Sequence, residues 1–429
     1  MIKRNISVLI LLIVAFNSCK TTNKIKTTNI KKDCSDTLAI QVKLGIDVLK
    51  ELDFALLKGK RVGLITNPTG VDRELNSTID ILNNSKDVNL VALFGPEHGV
   101  RGNFAAGKSI QNNIDKNTNI PIYSLYGKDK KPNKNAMNMV DVIVYDIQDI
   151  GVRSYTFIST MGQIMEAASD FDKEVLILDR PNPLGGNRVE GALVDSGYHS
   201  FVSRYNIPYI YGLTIGELAL MLNNEGLLEN KRKCNIQVVK MEGWSRDMTF
   251  GETGLQWVPT SPHIPTWETA FYYAATGIIG ELDPSMIGIG YTLPFKTLVT
   301  ENIDAYKLAN SMNNLKLNGV RFRPIYFKPY YKAKKSVELQ GVQIHITDFN
   351  KVNLTEIQFL FIQEAKKIDS SFDIFTYNKK KYRIFDLVCG SDVYRKKLMA
   401  TYNYKEMKSL WNKDINAFKV KSSNYYLYE

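Results

Sequence analysis

The chain has 429 residues, of which 44% are hydrophobic and 23% charged, proportions of a folded protein with room for more than one domain. They exclude a disordered, collagen-like or disulfide-scaffold chain, and the presence of one long apolar run, at the N-terminus, excludes a polytopic membrane protein. The formal charge of +11 hints at nucleic acid, but Lys3, Arg4, Lys20, Lys24, Lys26, Lys31 and Lys32 supply seven of those charges ahead of the first acid, Asp33. The remaining body is too weakly basic for its size to imply a nucleic-acid partner.

Lys3 and Arg4 precede an apolar stretch from Ile6 to Phe16. It is too short to span a bilayer as a helix and suits a signal-peptide core. It ends in Phe16-Asn17-Ser18-Cys19, which resembles a bacterial lipoprotein signal. Residues 1–18 are therefore expected to be a signal peptide, Cys19 the lipidated residue, and residues 19–41, rich in Lys, Thr and Asn, a tether. Lys20 after Cys19 is not an inner-membrane retention Asp, so the expected location is the periplasmic side of the outer membrane. An exported protein is not expected to use ATP or NAD. Cys34, Cys234 and Cys389 show no metal-ligand spacing, and Cys234 and Cys389 read as buried small hydrophobes.

The first half alternates strand-like and helix-like segments. Arg61–Thr66, Leu90–Phe94, Pro121–Leu125, Val140–Tyr145 and Val175–Leu178 read as strands. Ser77–Asn83, Thr156–Ala168 and Thr214–Asn223 read as helices, the last with Thr214 and Glu217 in a capping-box pattern. Apolar strands alternating with helices predict an α/β fold with a parallel sheet. After about residue 235 short strands such as Gln237–Met241 and Val342–Ile346 mix with helices around Ala305–Asn313, Thr355–Lys367 and Lys405–Asn412. Residues 42–235 are thus expected to form the sheet domain and 236–429 a smaller α+β domain.

Four predicted strands end in polar, turn-rich loops: Asn67-Pro68-Thr69-Gly70, Gly95-Pro96-Glu97-His98-Gly99-Val100-Arg101-Gly102, Asp146-Ile147-Gln148-Asp149-Ile150-Gly151-Val152-Arg153, and Asp179-Arg180-Pro181-Asn182-Pro183. In an open parallel sheet such loops share the carboxyl edge, where ligands bind. One cleft is expected there, lined by Glu97, His98, Arg101, Asp146, Asp149, Arg153, Asp179, Arg180 and Asn182. Asx turns, N-caps and ion pairs also place Asp and Asn after strands; four such loops on one edge favour a site.

Residues 102–109 match the phosphate-loop pattern GxxxxGK[ST]. That loop must join a strand directly to a helix, and here the strand ends near Phe94 and a poor helix former follows, so nucleotide binding is not expected. No GxSxG or HExxH is present, and His98, His199, His263 and His345 have no zinc spacing, so no metal or other cofactor is expected. Paired carboxylates remain. Glu97, on a rigid loop, suits a general acid, and two carboxylates flanking a glycosidic bond are the usual equipment for sugar hydrolysis. Asp146, Asp149, Asp179 or Glu190 would be its partner. Trp244, Trp257, Trp267, Tyr272, Tyr273 and Tyr291 are candidates for stacking on sugar faces, though most are expected in the core.

These segments, with Gly63–Gly70, Val189-Glu190-Gly191, Tyr211–Ala219, Met241–Trp244 and Tyr425–Tyr428, resemble the DUF1343 family, the NamZ-type exo-β-N-acetylmuramidases of glycoside hydrolase family 171. The resemblance covers about residues 42–429. It implies a Rossmann-like N-terminal domain, an accessory C-terminal domain and a cleft between them. It also implies removal of terminal N-acetylmuramic acid from the non-reducing end of peptidoglycan fragments, with Glu97 the leading catalytic residue. Asp179 and Glu190 are further catalytic candidates. Asn67, His98, Arg101, Asp146, Gln148, Asp149, Arg153, Tyr155, Arg180, Asn182, His263 and Tyr291 are candidates for substrate binding. The chain departs from the family pattern at Ser261-Pro262-His263, at Gly280-Glu281-Leu282-Asp283 and at Gly288-Ile289-Gly290, where Ile289 replaces an arginine suited to the lactyl carboxylate of muramic acid. A non-catalytic cell-wall sugar-binding lipoprotein is the alternative.

Overall fold

The strands β1 (Arg61–Thr66), β2 (Asn89–Gly95), β3 (Asn113–Ile114), β4 (Pro121–Ser124), β5 (Val142–Asp146), β6 (Glu174–Leu178) and β7 (Asn235–Val239) form one sheet in the order β3-β4-β2-β1-β5-β6-β7. The computed structural model describes residues 41–97, 99–102, 113–125, 131–331, 334–375 and 381–429. All neighbouring strands are parallel except the antiparallel pair β3–β4. The apolar runs of β1 and β5 are buried almost end to end, as strands covered on both faces must be. Apart from β3, the order is that of a doubly wound dinucleotide-type sheet, with the chain switching sides between β1 and β5. The covering helices are α1 (Gly45–Glu51), α2 (Thr78–Asn84), α3 (Lys134–Asn138), α4 (Phe157–Asp170) and α5 (Ile215–Asn224). The expected capping box starts α5: Thr214 Oγ1 accepts from the Glu217 amide at 3.2 Å, and the Glu217 carboxylate accepts from the Thr214 amide at 3.0 Å.

The expected boundary at 235/236 cuts through the sheet. β7 pairs in parallel with β6 from Glu174↔Asn235 to Leu178↔Val239. As the outermost strand it is half exposed and carries Asn235 and Gln237, so its sequence lacks the unbroken apolar run of the inner strands.

The remaining chain forms the smaller α+β domain. It contains α6 (Glu268–Gly280), β8 (Thr297–Thr300), α7 (Ala305–Asn314), β9 (Val320–Phe327), β10 (Leu339–Ile346) and α8 (Thr355–Ile368). After these come α9 (Tyr382–Cys389), α10 (Val393–Thr401), α11 (Tyr404–Trp411) and α12 (Ile415–Ser422). An antiparallel sheet, β8-β10-β9, packs through its alternating apolar residues, such as Val320, Phe322, Val342 and Ile344, onto α6, α7 and α8. The C-terminal tail then returns to the first sheet, where the Tyr428 hydroxyl donates to Asp179 at 2.6 Å. Cys234 and Cys389 are buried free thiols, as expected. Cys19, Cys34, His98 and residues 103–109 of the phosphate-loop match lie outside the described residues.

Candidate active site

The polar loops do converge on one edge, but its centre is closed. Asn67 accepts from the Thr69 amide at 2.9 Å, and Thr69 Oγ1 accepts from the Gln148 amide at 2.9 Å. Gln148 Nε2 donates to the Pro181 carbonyl at 2.7 Å. The loops after β1, β5 and β6 are thereby sewn together. Arg180 holds Asp146 by two bonds of 2.5 and 2.9 Å, both groups being buried, and Thr78 Oγ1 donates to the same carboxylate. Asn182 donates to the Leu213 carbonyl and accepts from the Leu184 amide. A void of about 20 Å³ beside Thr69, Gln148, Arg180 and Trp257 remains, room for a single water. Asn67, Asp146, Gln148, Arg180 and Asn182, expected to face substrate, instead build the interior of the edge.

Other expected site residues are likewise committed elsewhere. Asp179 is fully buried and accepts from the Arg180 and Gly216 amides and from the Thr214 and Tyr428 hydroxyls; burial pushes its carboxyl up to about 6. Glu190 pairs with Arg188 and accepts from the Leu354 and Thr355 amides, so it anchors the N-terminal end of α8, the favourable end for an anion. Arg153 is fully buried and donates to the carbonyls of Ala192, Ile207 and Val388, tying both domains together. Arg101 bridges Asp80 and Asp115 at 3.0 Å each. Its guanidinium holds the Asp115 carboxyl below the usual range. Arg101 thus braces the loop that carries Glu97. Gly102 ends that loop at φ +76°, and a Cβ there would meet Pro68 at 2.5 Å, so glycine lets the β1 and β2 loops touch.

A second cluster, largely buried, surrounds Tyr155. Glu97 sits in the turn after β2 and is partly exposed. Its charge acts on the Tyr155 hydroxyl, whose proton is held by burial. Tyr155 donates to Thr260 at 2.8 Å and also bonds Ser261. Its ring meets Tyr273 edge-on, with centroids 5.7 Å apart. Beneath it Asp149 accepts from the Tyr211 hydroxyl and the Gly151 amide, while its Oδ1 is buried with no partner among the described residues. Burial raises the Asp149 carboxyl to about 6. The cluster therefore joins the β2 and β5 loops to residues 260–261 and to α6. Thr260, Ser261 and Tyr273 gave no catalytic signal in the sequence beyond an aromatic and two hydroxyls.

His263 follows on the same loop and meets the Tyr331 hydroxyl at 2.8 Å. Tyr291 stacks on Phe327 at 4.3 Å. Ile289 is buried in the core of the smaller domain. Of the other aromatic candidates, Trp244 packs on Tyr428, Trp257 on Phe250 and Trp267 on Phe271 and Phe349. Among the described residues no group of three or more His, Cys, Asp or Glu could hold a metal ion.

Two family models match the chain: the N-terminal part of exo-β-N-acetylmuramidase NamZ over residues 62–268, and its C-terminal part over residues 271–428. The chain belongs to the NamZ family. It is 39% identical over 389 residues to the peptidoglycan β-N-acetylmuramidase NamZ of Bacillus subtilis (strain 168), spanning 90% of this chain and 92% of that protein. Two crystal structures of DUF1343 family proteins from Bacteroides fragilis NCTC 9343 share the fold. One superposes with a TM-score of 0.87 at 52% identity, covering 91% of this chain and all of the other. The second has a TM-score of 0.72 at 29% identity, covering 91% and 99%. The two NamZ family regions meet between 268 and 271, at the start of α6, the helix that carries Tyr273.

Proposed function

We propose that the chain is an exo-acting glycosidase that releases terminal N-acetylmuramic acid from the non-reducing end of peptidoglycan fragments, with Glu97 donating the proton to the leaving oxygen. The observation that carries this reading is the contrast at the sheet edge. Asp146, Asp179 and Glu190 are buried, whereas Glu97 is partly exposed and its charge acts on the Tyr155 hydroxyl. Membership of the NamZ family supplies the reaction class and the sugar. Tyr155, kept neutral by burial, is suited to hydrogen-bond a substrate oxygen next to Glu97, and Thr260 and Ser261 fix its orientation. Incubation with chromogenic β-N-acetylmuramide and β-N-acetylglucosaminide tests the reading. Release from the muramide alone, lost in Glu97→Gln, is expected; a folded protein silent on both substrates would favour the sugar-binding alternative.

Anchoring belongs to the same proposal. Lipid on Cys19 would hold the enzyme on the periplasmic face of the outer membrane, beside its muropeptide substrates. Cys19→Ser should release the protein from membranes. Among the described residues no helix is long and apolar enough to cross one.

A further inference from the structure

The segment 199–205 is pinned onto one face of α4. Ser159 Oγ donates to the Phe201 carbonyl at 2.7 Å. Arg204 donates twice to the Glu166 carboxylate, at 2.9 and 2.7 Å. The Tyr205 hydroxyl lies against Gly162, where a Cβ would meet it at 1.5 Å. Ser159, Gln163 and Glu166 follow one another at helical spacing on that face. The two outer positions have partners in the segment, and the middle one has none. Gln163 is buried, and its Oε1 has no hydrogen-bond partner among the described residues. A buried acceptor left unpaired destabilises the fold, and an apolar side chain of similar shape would not.

The amide borders open space. A cavity of about 460 Å³ lies between α4, the 199–205 segment and residues 227–229, with Gln163 on its wall. The Ser200 hydroxyl, also on the wall, is buried and without a partner among the described residues. His199 Nδ1 meets the Arg204 carbonyl at 3.1 Å. A carbonyl only accepts, so Nδ1 carries the proton and Nε2 is the acceptor of the neutral ring. Phe201 and Leu227 add apolar wall. The charges cancel in pairs: Arg204 and Lys131 hold Glu166, and Lys131 also holds Glu229 at 2.9 Å. Such a wall suits a neutral ligand with both donors and acceptors. None of the residues around Tyr155 lines it. Gln163 lies roughly 9 Å along α4 from Phe157, whose ring meets Tyr155 edge-on.

We propose that this cavity is a second carbohydrate site, taking an N-acetylated hexosamine unit of the glycan on which the enzyme acts. The choice of ligand rests on the exo-muramidase reading. An acetamido group carries one donor, one acceptor and a methyl group. Its N–H pairs with Gln163 Oε1, its carbonyl accepts from the Ser200 hydroxyl, and its methyl packs on Phe201 and Leu227. His199 accepts from a ring hydroxyl. Because the wall charges are paired, a neutral N-acetylglucosamine unit fits better than the lactyl carboxylate of muramic acid. A second hold on the polymer raises the effective concentration of chain ends near Glu97.

NMR of the full chain, labelled with nitrogen-15 at glutamine, tests the site. The Gln163 side-chain amide is assigned by its disappearance in Gln163→Leu, which should melt no lower than wild type because an unpaired acceptor is removed. Should that variant not fold, Gln163→Asn supplies the assignment. N,N′-diacetylchitobiose should shift this amide, and cellobiose, the β-1,4-linked disaccharide without acetamido groups, should not. Ser200→Ala should weaken the midpoint of the shift about fivefold. No shift with the diacetyl sugar, an equal shift with cellobiose, or an unchanged midpoint in Ser200→Ala overturns the proposal. So does competitive inhibition of muramide hydrolysis at the same midpoint, which would place the sugar in the catalytic cleft. A wild type silent on the muramide whose Gln163 amide still shifts loses the muramidase reading and keeps the site.

Discussion

The loops after β1, β5 and β6 and the loop after β2 have the same character in sequence, a strand followed by Asp, Glu, Arg, Asn and glycine, yet opposite fates. The first three are neighbours at the switch point, so each polar group finds a partner on the adjacent loop. Thr69 meets Gln148, Gln148 meets Pro181, and Arg180 meets Asp146. The β2 loop touches the β1 loop where Gly102 meets Pro68. Arg101 braces it from outside through Asp80 and Asp115, and Glu97 stays partly exposed. A polar loop in a doubly wound sheet thus becomes interior structure where loops crowd at the switch point.

Loss of chemistry should be the largest effect. Glu97→Gln is expected to lower kcat about 10²- to 10⁴-fold, the usual contribution of a general acid, with unchanged thermal unfolding; retained turnover would erase the contrast between the two regions. The reverse pattern is expected at the closed edge. Arg180→Met leaves the buried Asp146 carboxylate without its cation and should cost on the order of 3–5 kcal/mol in denaturant unfolding. A loss below about 1 kcal/mol would mean that the edge is open to water after all.

A subtler difference is the pH dependence of stability. Asp149 and Asp179 are each raised by burial to about 6, above an unfolded value near 3.9. The folded state therefore binds more protons between those values, so their contribution is present below about pH 4 and is lost as pH rises through about 6. Asp149→Asn should flatten the decline in melting temperature between pH 4 and pH 7, and an unchanged slope would show that Asp149 titrates normally. The smallest of these effects belongs to Glu190. Glu190→Gln weakens the anchoring of α8 by about 1 kcal/mol and should leave kcat on the muramide within twofold. A large fall in kcat with full stability would restore Glu190 to the chemistry.

The fold was largely legible. The apolar strands of the first sheet, the α5 capping box and the buried Cys234 and Cys389 follow from local pattern alone, because burial on both faces demands unbroken hydrophobic runs and a helix start demands its own acceptors. β7 escaped because an outer strand is half solvated and alternates. Of the proposed site, Glu97 and Tyr155 are the residues the sequence itself singled out. Thr260, Ser261 and Tyr273 lie more than a hundred residues from Tyr155, and nothing in their local sequence separates a residue that faces a cleft from one that packs a core.

Chain order and hydrophobic period by themselves determined an α/β sheet with polar loops on one edge, since those depend on interactions between near neighbours. Which of those loops closed and which stayed open was decided by the tertiary structure alone. The worth of a carboxylate depends on the donors around it, and those donors come from elsewhere in the chain: Tyr428 for Asp179 and Thr355 for Glu190.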